Sequence, residues 1–255
     1  MMERNVIGVD LDTPVYRIFP LKWLLPSIRD RVLVLPKPAS WDDPFEAFLF
    51  KAAGSYGRYR VELDKLRAKL YGQCWMTRSE SDAMWRIYST APPMNTDEPF
   101  TERVGLKVKT TVRKLFSALY ASSDRLPELC FWVGRVRYLK QEEMDALGAD
   151  NQAMMGMLTD PSARGHAESL LLKRDAFEHE HEVRFIYDAN NGFDATQALY
   201  PFTVDPNATF DEVILDPRVS ERNCRALHDE LRRAGYHGSV SQSTLYVPPR
   251  YTIKF

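Results

Sequence analysis

The chain has 255 residues, 44% of them hydrophobic, and its 34 basic and 35 acidic side chains leave a formal net charge of −1. That balance gives no global field to draw it onto nucleic acid or a membrane, and no apolar run approaches the roughly 20 residues that span a bilayer. Three cysteines without CxxC spacing, Cys74, Cys130 and Cys224, argue against a disulfide framework or a zinc ribbon and fit a reducing compartment. The first 19 residues mix Asp and Glu with short apolar pieces, unlike a secretory signal, so a soluble cytoplasmic protein is expected.

In chain order, residues 15–19 predict a first strand and 21–29 a short helix disturbed by Pro26. Residues 31–35 form a compact apolar strand closed by Pro36 and Pro38. Asp42-Asp43-Pro44 marks a helix start for 41–50. Apolar residues at 61, 63, 66 and 70 predict a helix over 59–70. A strand at 73–77 leads into a helix at 81–88, and the Pro-containing segment 91–102 reads as a loop long enough to serve as a lid or to be partly disordered. Residues 105–109 alternate as a strand, with Thr110 or Thr111 capping a helix to 121. A strand at 130–138, a helix at 162–174, a strand at 212–215 and a helix from Ser220 to Gly235 follow; 239–247 and 251–255 read as β structure. Strands and helices mix without a βαβ rhythm. The expected architecture is a single α+β domain over residues 1–255, with a mixed central β-sheet flanked by helices.

Residues 177–185, Phe-Glu-His-Glu-His-Glu-Val-Arg-Phe, stand out. As a strand they put Glu178, Glu180, Glu182 and Arg184 on one face and His179, His181, Val183 and Phe185 on the other. Carboxylates stacked along one face repel unless a cation or a substrate offsets them, and a strand with only structural duties is served better by Thr or Val. There is no P-loop, GxSxG, HExxH or GxGxxG, so candidate chemistry rests on dispersed residues. The His179/His181 pair lacks a third ligand, which favours ordinary histidines over a zinc site. Arg135 and Arg137, with Lys107, Lys109 and Arg113, allow a basic patch, although a solvated sheet face is the plainer reading. Met84, Trp85 and Tyr88 have helical spacing, for which core packing is the plainer reading.

Several blocks in order carry a resemblance: Tyr16-Arg17, Asp42-Asp43-Pro44-Phe45-Glu46, Cys74-Trp75-Met76-Thr77, Met84-Trp85-x-x-Tyr88, Gly105-Leu106 and Phe177-x-x-Glu180-x-Glu182-x-Arg184. The chain resembles the bacterial domain-of-unknown-function family numbered 2971 over about residues 15–187, with residues 200–255 completing the fold. Asp42 stands at that family's Asn position and Phe177 at its Trp position. The succession Arg17, Thr77 with Ser79, and Glu180-x-Glu182 also resembles mono-ADP-ribosyltransferases. That likeness implies NAD as substrate, with no metal. Glu182 is then the carboxylate that stabilises an oxocarbenium-like transition state, Glu180 orients or activates the acceptor, and Thr77 supports the catalytic carboxylate. Arg17, with Tyr16 and Ser79, would hold the dinucleotide, and Trp85 or Tyr88 would stack on nicotinamide. The acceptor would be protein or nucleic acid, no membrane is involved, and an antitoxin or other regulatory protein is a further partner of such a toxin or phage-defence effector. Two other classes compete. One is a metal-dependent nuclease using Asp43, Glu180 and Glu182, weakened because Arg184 stands where a PD-(D/E)xK pattern requires Lys. The other is a non-catalytic ligand-sensing module.

Overall fold

The structure is a computed structural model that describes residues 2–41, 46, 54–56, 59–61, 63–94, 96–123, 127–189 and 193–249. Its strands are β1 Val6–Ile7, β2 Pro14–Pro20, β3 Val32–Pro36, β4 Gly54–Tyr56, β5 Tyr59–Val61, β6 Leu70–Met76, β7 Gly105–Thr111, β8 Phe131–Arg135, β9 Arg137–Leu139, β10 Leu172–Arg174, β11 Glu182–Asp188, β12 Leu199–Thr203, β13 Glu212–Leu215 and β14 Ser239–Gln242. Its longer helices are α1 Leu21–Asp30, α2 Asp82–Tyr88, α3 Val112–Tyr120, α4 Gln141–Ala149, α5 Asn151–Thr159, α6 Arg164–Ser169 and α7 Glu221–Arg233. The fold is α+β on mixed β-sheet with flanking helices, as the sequence implies.

The chain divides into two compact units. The first comprises Met1–Val15, Val32–Thr77 and Thr111–Val204. Here β11 runs antiparallel to both β6 and β8, and β1 joins β8 in parallel. Every residue of β11 is buried. Such a strand should be apolar, yet it carries Glu182, Arg184 and Asp188, and buried charges persist only when paired. Asp188 is met by His166 of α6 at 2.8 Å, whose other ring nitrogen lies 3.1 Å from the Leu158 carbonyl. Leu70, Trp132, Val136, Ala167, Leu170, Leu171 and Ile186 form an apolar cluster around the strand.

The second unit comprises Tyr16–Arg31, Arg78–Thr110 and Asp205–Phe255. Its β7 pairs antiparallel with β13, which pairs in parallel with β14. Ser81 caps α2 by accepting the Met84 N–H, and Ser220 caps α7 by accepting that of Asn223. The strand at Gly105 passes close to Ser89: the Gly105 N–H donates to Ser89 Oγ at 2.7 Å, and a Cβ on Gly105 would lie 2.5 Å from Ser89 Cβ and 2.6 Å from Ile18 Cγ2. Gly105→Ala is therefore expected to destabilise the protein by about 1–3 kcal/mol through overpacking, read from its chemical-denaturation midpoint; an unchanged midpoint would contradict the close approach.

Several sequence expectations give way to tertiary pairing. The helix expected over 59–70 is instead β5, a short turn of helix at Asp64–Arg67 and the start of β6, because Leu70 pairs with Asp188 on β11. The helix expected over 162–174 ends at Ser169, and Leu172–Arg174 pairs in parallel with Arg137–Leu139 as β10. The strand at 130–138 is broken at Val136, whose N–H donates to the Glu182 carbonyl. Helices α4 and α5 fill a stretch without a clear sequence signal. Pro26 lies inside α1, which ends at Arg31 in the left-handed region with φ of 56°. Thr111, not Thr110, caps α3. Of the helix expected at 41–50 only Trp41 and Glu46 are among the described residues, and the strand at 251–255 lies outside them.

Candidate functional site

The sequence places Glu178, Glu180, Glu182 and Arg184 on one strand face; the structure corrects this. Residues Asp175–Glu180 form a 3-10 turn, closed at His181 by a left-handed conformation with φ of 45°. Only from Glu182 does the strand begin. The reversal puts Glu180 back beside Glu182 instead of one pleat behind it. Thr77 fixes the turn, since its N–H and hydroxyl both donate to the His181 carbonyl, at 3.0 and 3.3 Å.

Two cations of the first unit bind this carboxyl pair. Arg184, fully buried, donates from Nε to Glu182 Oε2 at 2.6 Å, from Nη1 to the Leu170 carbonyl at 2.7 Å and from Nη2 to Glu46 Oε1 at 2.6 Å. Its guanidinium lies 4.4 Å from the centre of the Trp41 ring, which is seated over the bare Cα of Gly72. Lys173 of β10 reaches Glu182 Oε1 at 2.8 Å, Glu180 Oε2 at 2.9 Å and Glu46 Oε1 at 3.1 Å. The Glu182 N–H donates to the Tyr138 hydroxyl at 2.8 Å. Glu182 is thus saturated, with only 4% of its side chain exposed, whereas Glu180 retains 12%.

Three carboxyls face two cations, and a buried cluster does not carry a surplus charge cheaply. One carboxyl therefore keeps a proton. Burial, with the hydrogen bond to Glu182 and its charge, pushes the Glu180 carboxyl up to about 8 against the pull of Lys173. Burial alone would raise Glu182 too, but the Arg184 charge, the Glu180 hydrogen bond and Lys173 hold it well below the usual carboxylate range. The environment thus separates two neighbouring glutamates into an anion and an acid.

A stability consequence follows from the Glu180 proton. The folded chain keeps it to about pH 8, whereas the unfolded chain releases it near the ordinary value of 4.5. Between those limits the native state binds more protons, so this group's contribution to stability falls as pH rises and levels off above about 8. Glu180→Gln removes that slope. Its melting temperature relative to the native chain is expected to climb across this window; a difference independent of pH would contradict the assigned proton.

The remaining predicted residues lie in the second unit, where Tyr16, Ser79 and Trp85 gather around Lys107. The Lys107 ammonium lies 5.0 Å from the Trp85 ring centre and 5.9 Å from that of Tyr16, donates to the Ser79 carbonyl at 2.5 Å and pairs with Glu80. Glu80 in turn accepts from Ser243. Trp85 is fully buried, as a core residue is, whereas Tyr88 on the same helix is 43% exposed. Arg17 lies 5.2 Å from the Phe19 ring. Lys107, offered above as part of a basic patch, is a buried cation, and Arg113 is tied to Asp12. The loop at 91–102 is closed at its base by the Thr90 N–H to the Arg103 carbonyl and held to α7 by Asn223, which donates to the Glu98 carbonyl. A groove of about 410 Å³ between α7 and β13–β14, lined by residues including Cys224, His228 and Val240, involves none of the predicted residues.

No protein-family model matches the chain, that of family 2971 included, and no curated protein does. Solved structures of DarT from Thermus sp. 2.9 are similar to it. The one in complex with ADP-ribosylated ssDNA has 14% identity and a TM-score of 0.41, covering 92% of this chain and 96% of that one. The NAD+ complex has the same identity and TM-score with 98% of that chain covered, and the carba-NAD+ complex has a TM-score of 0.38.

Sequence reasoning did not single out Lys173, Tyr138 or Trp41. Lys173 falls in a segment with helical spacing and reaches the cluster only through the β9–β10 pairing. Glu46 was noted within a helix start, and its carboxylate binds both Arg184 and Lys173. Asp43, the third carboxylate of the nuclease reading, lies outside the described residues. Among the described residues no group of three or more His, Cys, Asp or Glu is arranged to hold a metal ion, and no helix is long and apolar enough to cross a membrane.

Proposed function

We propose that this chain is an NAD-consuming, ADP-ribosyltransferase-like enzyme. The observation that carries the reading is the geometry of the glutamate pair. Glu182 is held by Arg184 at 2.6 Å and Lys173 at 2.8 Å, while Glu180, held by Lys173 at 2.9 Å, is the more exposed of the two and has its carboxyl pushed up to about 8. Cleaving the nicotinamide–ribose bond builds positive charge on the ribose, and transferring the ribosyl group to an acceptor requires a base for the acceptor's proton. When Glu180 ionises, the cluster holds three carboxylates against two cations. The surplus charge then sits on Glu180, the more exposed of the pair. In this reading the C1′–N bond breaks as nicotinamide leaves with the electron pair, the acceptor's oxygen or nitrogen bonds to C1′, and its proton passes to Glu180. Glu182 anchors the pair. That assigns to Glu180 the substrate-facing charge that sequence reasoning gave to Glu182, and adds it to the acceptor's activation.

Thr77 supports the pair by holding the His181 turn. Arg17, Tyr16, Ser79 and Tyr88 are the proposed dinucleotide-binding residues; Trp85, fully buried, belongs to the core, and the stacking role on nicotinamide goes to exposed Tyr88. The acceptors to be offered are protein and nucleic acid, including single-stranded DNA, the modified partner in one DarT structure. Unrestrained NAD consumption injures a cell, so a toxin or defence role with a restraining antitoxin belongs to the same proposal. The test is nicotinamide release from NAD by the native chain and by Glu180→Gln. Loss of release in the variant, with its melting transition retained, supports the reading; a native chain that releases none in the presence of a cell extract contradicts it.

A further inference from the structure

Lys173 has no role in the reading above, yet it contacts every carboxyl of the cluster. An ammonium offers three protons and accepts none, and here three carboxyls lie 2.8, 2.9 and 3.1 Å from it. Arg184 binds Glu182 and Glu46 through a planar fork. Lys173 also meets Glu180, and its Nζ lies 4.7 Å from the ring centre of Phe177 in the same turn. It comes from β10, a three-residue strand paired with β9, so it reaches Glu180 from outside the chain segment that carries the pair. We propose that Lys173 is a positioning residue, which holds Glu180 beside Glu182 and sets the pH at which Glu180 gives up its proton. The catalytic consequence rests on the reading of Glu180 as the working carboxylate; the placement itself does not.

Charged and titratable groups surround Glu180 on every element packed there. Its own turn carries Asp175, Glu178 and His179; β10 contributes Lys173 and Arg174; β9, Arg137 and Tyr138; β11, Glu182 and Arg184; and Glu46 completes the set. Glu182 brings negative charge and Lys173 brings positive charge directly to the Glu180 carboxyl. Removing Lys173 leaves Glu180 beside Glu182 without that compensation, so its ionisation should become harder.

The test is a carbon-13 NMR titration of the glutamate side-chain carboxyls, run on the native chain, Lys173→Arg, Lys173→Met and, to assign the signal, Glu180→Gln. The native midpoint should lie near 8 and vanish in Glu180→Gln. Lys173→Arg should leave it nearly in place, and Lys173→Met should raise it by about 1–3 pH units, the usual effect of a neighbouring opposite charge. If Lys173→Met does not fold, Lys173→Gln, which is uncharged but still donates a hydrogen bond toward the carboxyls, carries the same expectation. A midpoint unmoved by removing the ammonium, or a native Glu180 titrating in the ordinary carboxylate range, overturns the proposal whether or not NAD is turned over. In nicotinamide release, the Lys173→Met pH profile should move alkaline by the same interval, and Lys173→Arg should restore the native profile. A rate lowered equally at every pH would mean a merely structural lysine and would also overturn it. Absence of release from the native chain contradicts the enzymatic reading alone, because the carboxyl titration judges Lys173 separately.

Discussion

Replacing Arg184 by methionine is expected to destabilise the protein by about 3–5 kcal/mol near neutral pH, the usual cost of stripping one partner from a buried ion pair. The guanidinium is completely buried and satisfies Glu182, Glu46 and the Leu170 carbonyl together. Methionine fills much of the volume beside Trp41 but leaves three carboxyls with Lys173 as their cation. The penalty comes from carboxylates without a partner, so it should shrink as pH falls into their ordinary range and they become protonated. Urea denaturation at neutral and mildly acidic pH reads both effects. An equal loss at both would assign the role of Arg184 to packing against Trp41. Arg184→Lys should not rescue the fold, because a lysine lacks the fork that reaches two carboxylates and a carbonyl at once.

Glu180→Gln should reduce nicotinamide release from NAD by a hundredfold or more, the order expected when one transition-state electrostatic contact is lost. The side chain keeps its shape, and at neutral pH the native carboxyl is already largely uncharged, so the fold should tolerate the change. Glu182→Gln distinguishes this assignment from the one suggested by sequence. Without the Glu182 charge, Lys173 and Arg184 face only Glu46 and Glu180, so Glu180 should ionise at lower pH. Release is then expected to persist with its profile shifted toward acid. Complete loss in a well-folded Glu182→Gln, with Glu180→Gln still active, would return the substrate-facing role to Glu182.

The elements that sequence makes legible are those whose signals are local. Ser81 and Ser220 announce helix starts through their caps, and Gly235, with φ of 97°, closes α7 as expected. The apolar run at 32–36 and the alternation after Gly105 announce strands. Wherever a short strand depends on a distant partner, periodicity misleads: Leu172–Arg174 shares its spacing with a helix and becomes β10 only because Arg137–Leu139 lies beside it. The same reason conceals the cluster. The 177–185 segment signals an unusual concentration of charge, but its pattern does not disclose that His181 turns left-handed and reverses Glu180. Nor does it disclose that a lysine ahead of the turn supplies the compensating cation. Trp85 carried two readings from its helical spacing, and its burial against Lys107 is that of a core residue.

The most direct measurement is nicotinamide release from NAD by the native chain as a function of pH, with and without a cell extract to provide the acceptor. The account predicts release that rises through about pH 8 as Glu180 ionises and is lost in Glu180→Gln. A native, folded chain that releases no nicotinamide at any pH, extract present, would contradict it.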